Sequence, residues 1–209
     1  MPTLASLLVF VTASLALNVT PGPDMLYVIA RSSVEGRRAG IVSSLGIAAG
    51  ALVHMTLVAA GLSSLLLAVP YAYDAVRLLG AAYLLYIGIR GLLGAGTVAG
   101  RPDVERMSLG AVFRQGMVTN LLNPKVALFF LAFLPQFVDR AQGHVAAQLV
   151  FLGLLFNTLG TTVNVLVAVV ASGAGRLSRS RIGALPWMQR LPGAVFVGLG
   201  LRLAFLRRD

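Results

Sequence analysis

Asn18-Val19-Thr20-Pro21-Gly22-Pro23-Asp24 cuts an apolar run that starts at Leu4 and ends near Ala30. Its two prolines remove two backbone donors and clash with the preceding turn. Gly22 between them reaches backbone conformations that other residues avoid. A helix must therefore open here. As helix, Leu4 to Leu17 is about 21 Å long, and Met25 to Ala30 is far shorter. Neither arm crosses a hydrocarbon core of about 30 Å alone, but together they do. The best reading is one broken membrane span, with a re-entrant hairpin as the alternative.

The rest of the chain agrees that lipid is the main solvent. Of 209 residues, 57% are hydrophobic and 11% charged, and the mean hydropathy is +0.86. A soluble domain carries roughly twice that charge fraction. The net charge of +10 does not indicate nucleic acid, because that partner needs a basic face on a soluble domain. Here the arginines fall in short clusters between apolar runs, a pattern that orients membrane proteins. With no cysteine, disulfides and thiolate metal sites are excluded and the redox compartment cannot be read. No positive charge precedes the apolar stretch Met1 to Leu17, so it is expected to stay in the mature protein rather than be cleaved as a signal peptide.

Further apolar runs are expected to span at about 39–69, 76–93, 109–137, 145–171 and 185–206, which gives about six crossings. Loops 31–38, 90–107 and 172–190 hold most of the arginines and are expected on the cytoplasmic side. Arg202, Arg207 and Arg208 would then lie on the wrong side. Three spans precede the basic linker 94–107 and three follow it, so halves 1–93 and 108–209 would sit inverted in the membrane. Matching Pro21 to Pro124 places Gly50 on Gly153 and His54 on Asn157. Proline-broken helices at matching positions of an inverted repeat point to a transporter's midplane site. The expected fold is an all-α polytopic membrane helical bundle, with broken first and fourth helices in a single domain.

Four constellations carry candidate chemistry. In the first, Asn18, Thr20, Pro21, Gly22 and Asp24 surround open backbone, which lipid tolerates only against protein or a wet cavity. Asp24 either caps the restarted helix or binds a substrate ammonium or a coupling proton; both can hold at once. In the second, Asn120-Leu121-Leu122-Asn123-Pro124-Lys125, the proline frees a carbonyl near Asn120 and the asparagines can satisfy it. Lys125 lies about 24 Å into its span. It pairs either with Asp24 or only with freed carbonyls. A zwitterion suits the site, its ammonium competing for Asp24 and its carboxylate for Lys125 and a helix N-terminus. In the third, Gly46, Gly50 and His54, with Gly61 further on, share one helix side that lets a neighbour approach closely. His54 points into the bundle, to bond a neighbour or to carry protons. In the fourth, Gly153, Asn157, Thr161 and Asn164 share a face that either joins helices or lines a polar path. Tyr83, Tyr86 and Trp187 are weaker signals, with Trp187 read as an interface anchor.

These residues are similar to a known set. The 18–24 stretch, Arg31-Ser32, Gly36-Arg37-Arg38-Ala39-Gly40, Leu45-Gly46, the His54 span, Phe113-Arg114-Gln115-Gly116, the 120–125 stretch, and Phe129 with Pro135-Gln136-Phe137 resemble the LysE/RhtB family of amino-acid exporters. The resemblance covers about residues 4 to 140 in motif and the remainder in arrangement. It implies efflux of amino acids across the bacterial inner membrane by a multi-pass protein, driven by the proton gradient, and a homo-oligomer such as a dimer. The first motif is closer to the homoserine, threonine and leucine branch than to the lysine branch, which implies neutral substrates. No cofactor is implied. Two rivals remain. An ion or metal exporter usually needs clustered Cys, His or carboxylate ligands, and a membrane-embedded enzyme would need a catalytic motif that the chain does not show.

Overall fold

The computed structural model describes residues 2–68, 106–139 and 141–173, with backbone alone for 62–68, together with scattered positions between 78 and 93 and between 194 and 205. Among these the ordered elements are helices, and there is no strand. The expected third and sixth spans lie largely outside the described residues, as do most of the 94–107 linker, Tyr83 and Trp187. Gly200 packs against Ala81 and Leu85, so these two stretches meet.

Helix α1 (Leu4–Val19) starts at Thr3, whose hydroxyl accepts from Ser6 N at 3.2 Å. It stops where Pro21 and Pro23 withhold their donors. Helix α2 (Pro23–Glu35) restarts with Pro23 in its first turn, where a missing N–H costs nothing. The two arms are bent by 51°. The same device recurs in the second half. Helix α4 (Leu109–Leu121) starts at a Ser108 cap, and α5 (Pro124–Leu128) restarts at Pro124 under an Asn123 cap. Their arms are also bent by 51°. A π turn (Phe129–Phe133) and a 3-10 turn (Leu134–Phe137) extend the second arm.

Two long helices fill the rest. Helix α3 (Arg37–Ala68) and α6 (Val145–Gly173) are each long and apolar enough to cross a bilayer. With each bent pair counted as one span, the described residues supply four crossings. The chain is thus an all-α membrane helical bundle.

One boundary differs from the sequence expectation. The second arm of the first span does not end near Ala30, and 31–38 is not a loop. Helix α2 runs on to Glu35, Gly36 alone turns the chain, and α3 starts at Arg37. Gly36 has φ +89, a conformation that favours glycine. Arg31 stays helical because its charge is consumed within the bundle, as described below.

Packing follows residue size. Phe10 of α1, Phe129, Phe130, Phe133 and Phe137 of the second arm, and Phe156 of α6 form one aromatic core. Phe129 stacks on Phe156 at 4.4 Å, and Phe10 meets Phe137 edge-on at 5.2 Å. The glycine side of α3 lies against α4. A Cβ on Gly46 would stand 2.2 Å from Phe113 O, and one on Gly50 would stand 2.8 Å from both Asn120 Cβ and Met117 O. This close approach sets His54 and Asn120 side by side.

Candidate functional site

A proline at position i cannot donate to the carbonyl of i−4. Pro21 therefore frees Leu17 O, and Pro124 frees Asn120 O. Both carbonyls find donors from elsewhere in the fold. Lys125 Nζ donates to Leu17 O at 3.1 Å and to Thr20 O at 2.9 Å. His54 Nε2 lies 3.2 Å from Asn120 O, which also accepts from Asn123 N at 3.0 Å. Each cross-bond ties one broken helix to another element.

The direct Asp24–Lys125 ion pair, one of the two readings open from sequence, is not formed. The Lys125 ammonium sits on the carbonyls at the end of α1, where the helix dipole is negative. Its stem passes Gly22 so closely that a Cβ there would stand 2.9 Å from Nζ. Gly22 thus leaves room for the ammonium; its own backbone is extended, with φ −157 and ψ −177, which any residue adopts, so the turn itself does not require glycine.

Asp24 instead accepts from Asn120 Nδ2 at 2.7 Å through Oδ2, and it faces Asn123, Lys125 and His54. Asn120 and Asn123 are 2% and 1% exposed. The Asn123 side chain caps α5 by accepting from Lys125 N at 3.0 Å. The Asp24 Oδ1, Asn120 Oδ1, Asn123 Nδ2 and Asn18 Nδ2 atoms are buried without a hydrogen-bond partner. Buried polar atoms are nearly always bonded. Several unpartnered ones together mark a place built to bond something else.

The other expected residues have other roles. Thr20 turns its hydroxyl back to Ala16 O at 2.6 Å, so its carbonyl alone serves the break. Asn18 lies against Gly160 of α6, where a Cβ would stand 2.7 Å from Asn18 Oδ1. His54 also stacks on Phe130 at 6.0 Å. Asn157 does not join the Asp24 group. It donates to Ala48 O at 3.3 Å, which joins α6 to α3, and with Thr158, Thr161 and Thr162 it lines a separate groove of about 410 Å³.

Two features escaped the sequence. Ser14 is fully buried with an unpartnered hydroxyl, and its spacing of four from Asn18 was the available signal. The second is a buried charged cluster. Arg31 Nη1 pairs with Glu35 Oε1 at 2.5 Å, and their side chains are 7% and 8% exposed. Arg31 Nη2 also donates to Gln115 Oε1 at 2.7 Å, and the guanidinium lies over the Tyr27 ring. Glu35 Oε2 accepts from Met107 N at 3.3 Å, and Tyr27 donates to Val112 O at 2.8 Å. Together these bonds fasten α2 to the start of α4.

A bundle with two proline-broken helices, each break held by a side chain from another element, suits a membrane carrier. The LysE type translocator family model matches residues 15–207. The chain belongs to this family. It is therefore a translocator, a multi-pass protein of the bacterial inner membrane. Among relatives of this LysE-type translocator, the leucine efflux proteins of Salmonella choleraesuis and Salmonella typhimurium are each 31% identical over 208 residues, covering 95% of this chain and 94% of theirs. An uncharacterized membrane protein of Pseudomonas aeruginosa is 34% identical over 193 residues, with 88% of each chain covered. No solved structure matches the chain.

Proposed function

We propose that this translocator exports neutral amino acids such as leucine, homoserine or threonine, and that the two helix breaks form the substrate site. The observation that carries this reading is the group of buried, unpartnered polar atoms on Asp24, Asn120 and Asn123. It lies where the broken helices meet, and it contains one carboxylate and polar atoms of both hydrogen-bonding senses. An amino-acid zwitterion has the matching chemistry, and relatives that cover almost the whole chain are named for leucine efflux.

The equal 51° bends and the paired freed carbonyls of Leu17 and Asn120 support reading 1–93 and 108–209 as inverted repeats. Coupling to protons belongs to the same reading, with Asp24 and His54 as the titratable groups beside the breaks. The assembly it takes is a homo-oligomer, most simply a dimer.

Expression in a bacterium loaded with single amino acids tests the function. Relief of toxicity is expected for leucine or another neutral amino acid, with the labelled compound appearing in the medium. Failure to relieve any amino acid, with the protein present in the membrane, overturns the proposal.

A further inference from the structure

Resting on the amino-acid reading above, we propose that the substrate's two ends are read by different side-chain atoms where the two helix breaks meet. Its ammonium is held between Asp24 Oδ1 and Asn120 Oδ1, and its carboxylate is bonded by Asn123 Nδ2, while Lys125 takes no part in binding it.

The assignment follows from which atoms are already used. The ionised Asp24 carboxylate that binds an ammonium is an acceptor only, so the atom of Asn120 bonded to it at 2.7 Å is the amide nitrogen. That fixes Asn120 Oδ1 as the free end. Asn123 accepts from Lys125 N with its oxygen, as a helix cap does, and this fixes Nδ2 as its free end. The side-chain orientations are therefore set by their neighbours. Two acceptors, one of them charged, belong to side chains already bonded to each other. An ammonium with several protons satisfies both. A carboxylate there would meet Asp24 with like charge.

The remaining donor whose orientation is fixed is Asn123 Nδ2, buried without a hydrogen bond; it also faces Asp24, so a carboxylate reaches it only together with the ammonium seated on Asp24. It stands in the residue that opens α5, one position before Pro124. Lys125 is the obvious cation for a carboxylate, but its ammonium is committed to Leu17 O and Thr20 O. Moving it would strip the carbonyl that Pro21 left without a donor. The carboxylate is thus recognised by a neutral amide, and this fits a carrier that must release as well as bind. Asn18 Nδ2 is a second unpartnered donor in the α1 break.

The test is ligand binding to the purified full-length protein in lipid nanodiscs, with the amino acid that shifts its melting temperature most. Its carboxamide and its deamino acid are the two one-ended probes. For leucine these are leucinamide and 4-methylpentanoate. Loss of one hydrogen bond to a charged group is expected to weaken binding about tenfold or more. Asn123→Ser keeps an oxygen to cap α5 and removes the amide donor. It should weaken the amino acid about tenfold and bring its affinity down to that of the carboxamide. Preference over the deamino acid should remain. Asn123→Asp keeps the cap and replaces the donor with a charge, and it should abolish binding. Lys125→Met should leave the preference for amino acid over carboxamide unchanged.

An unchanged preference in Asn123→Ser, or its collapse in Lys125→Met, overturns the assignment while leaving amino-acid export standing. Equal binding of amino acid and deamino acid by the unmodified protein shows that these acceptors hold only water, and it also overturns the assignment. If no amino acid shifts the melting temperature of the unmodified protein, the functional reading fails and this one fails with it.

Discussion

The Asp24 group and the Arg31 group are both buried, both charged, and both join α2 to α4, yet they are built in opposite ways. Around Arg31 the charges are used up. Glu35 neutralises it, Gln115 accepts from it, and Glu35 also accepts from Met107 N. Around Asp24 one carboxylate oxygen and both asparagine side chains have atoms to spare. A satisfied charged cluster rigidifies a structure, and a partly satisfied one is costly unless something completes it. Burial of charge alone therefore does not separate a fastener from a site. The state of the remaining lone pairs and protons does.

The largest expected effect lies at the unsatisfied end. Asp24→Asn preserves shape and removes the charge. Export should fall to the level of the empty vector while the melting temperature in detergent holds. Wild-type export by this variant would mean that the Asp24 group is a fastener like the other. The reverse is expected at the satisfied end. Glu35→Gln leaves Arg31 without its counter-charge, and breaking a buried pair costs about 3 kcal/mol or more. Its melting temperature should drop clearly, while transport per folded molecule in vesicles stays close to normal. Transport lost without any loss of stability would break the distinction between the two clusters.

This contrast also explains what the sequence could reveal. The break at 18–24 was legible because proline chemistry is local: a missing N–H frees the carbonyl four residues back whatever the fold. The recurrence of that device at 120–125 and the glycine side of α3 were legible for the same reason. The partner of each freed carbonyl was not, since Lys125 and Leu17 are 108 residues apart. Sequence left Lys125 between Asp24 and the carbonyls, and the space left by Gly22 favoured the carbonyls. The Arg31 cluster is not legible in the sequence, because an arginine five residues before Gly36 and two further arginines looks like a loop charge. Only its contacts with Gln115 and Met107 show that it is spent inside. His54 and Asn157 match in sequence register, but they part in the structure. His54 reaches a freed carbonyl, and Asn157 bonds the backbone of α3.

Lys125→Met sharpens the comparison from the other side. Lys125 belongs to the fastening class by its bonds, although it lies beside the open site. Removing it leaves Leu17 O and Thr20 O unbonded, at a cost of about 2 kcal/mol. Hydrogen exchange should rise over residues 17–24, and the melting temperature should fall by less than in Glu35→Gln. If Lys125 were the anion partner of the substrate, stability would hold and affinity would drop.

The smallest effect, expected at Gly61, belongs to the cleanest control, because it uses one helix and one kind of substitution. Gly50 and Gly61 both lie on α3, 11 residues apart. A Cβ at Gly50 presses on Asn120 and Met117 O, both at 2.8 Å, whereas one at Gly61 meets none of the described residues within 4 Å. Gly50→Ala should cost about 1–3 kcal/mol. It should also weaken substrate binding, since Asn120 cannot retreat without loosening its bond to Asp24. Gly61→Ala should be neutral or stabilising by up to about 1 kcal/mol, the helix propensity gained when glycine becomes alanine. Melting curves of the two variants in the same detergent measure the difference. Equal losses would mean that glycine acts along all of α3 through backbone flexibility, and the close approach that positions Asn120 would no longer explain why Gly50 is glycine.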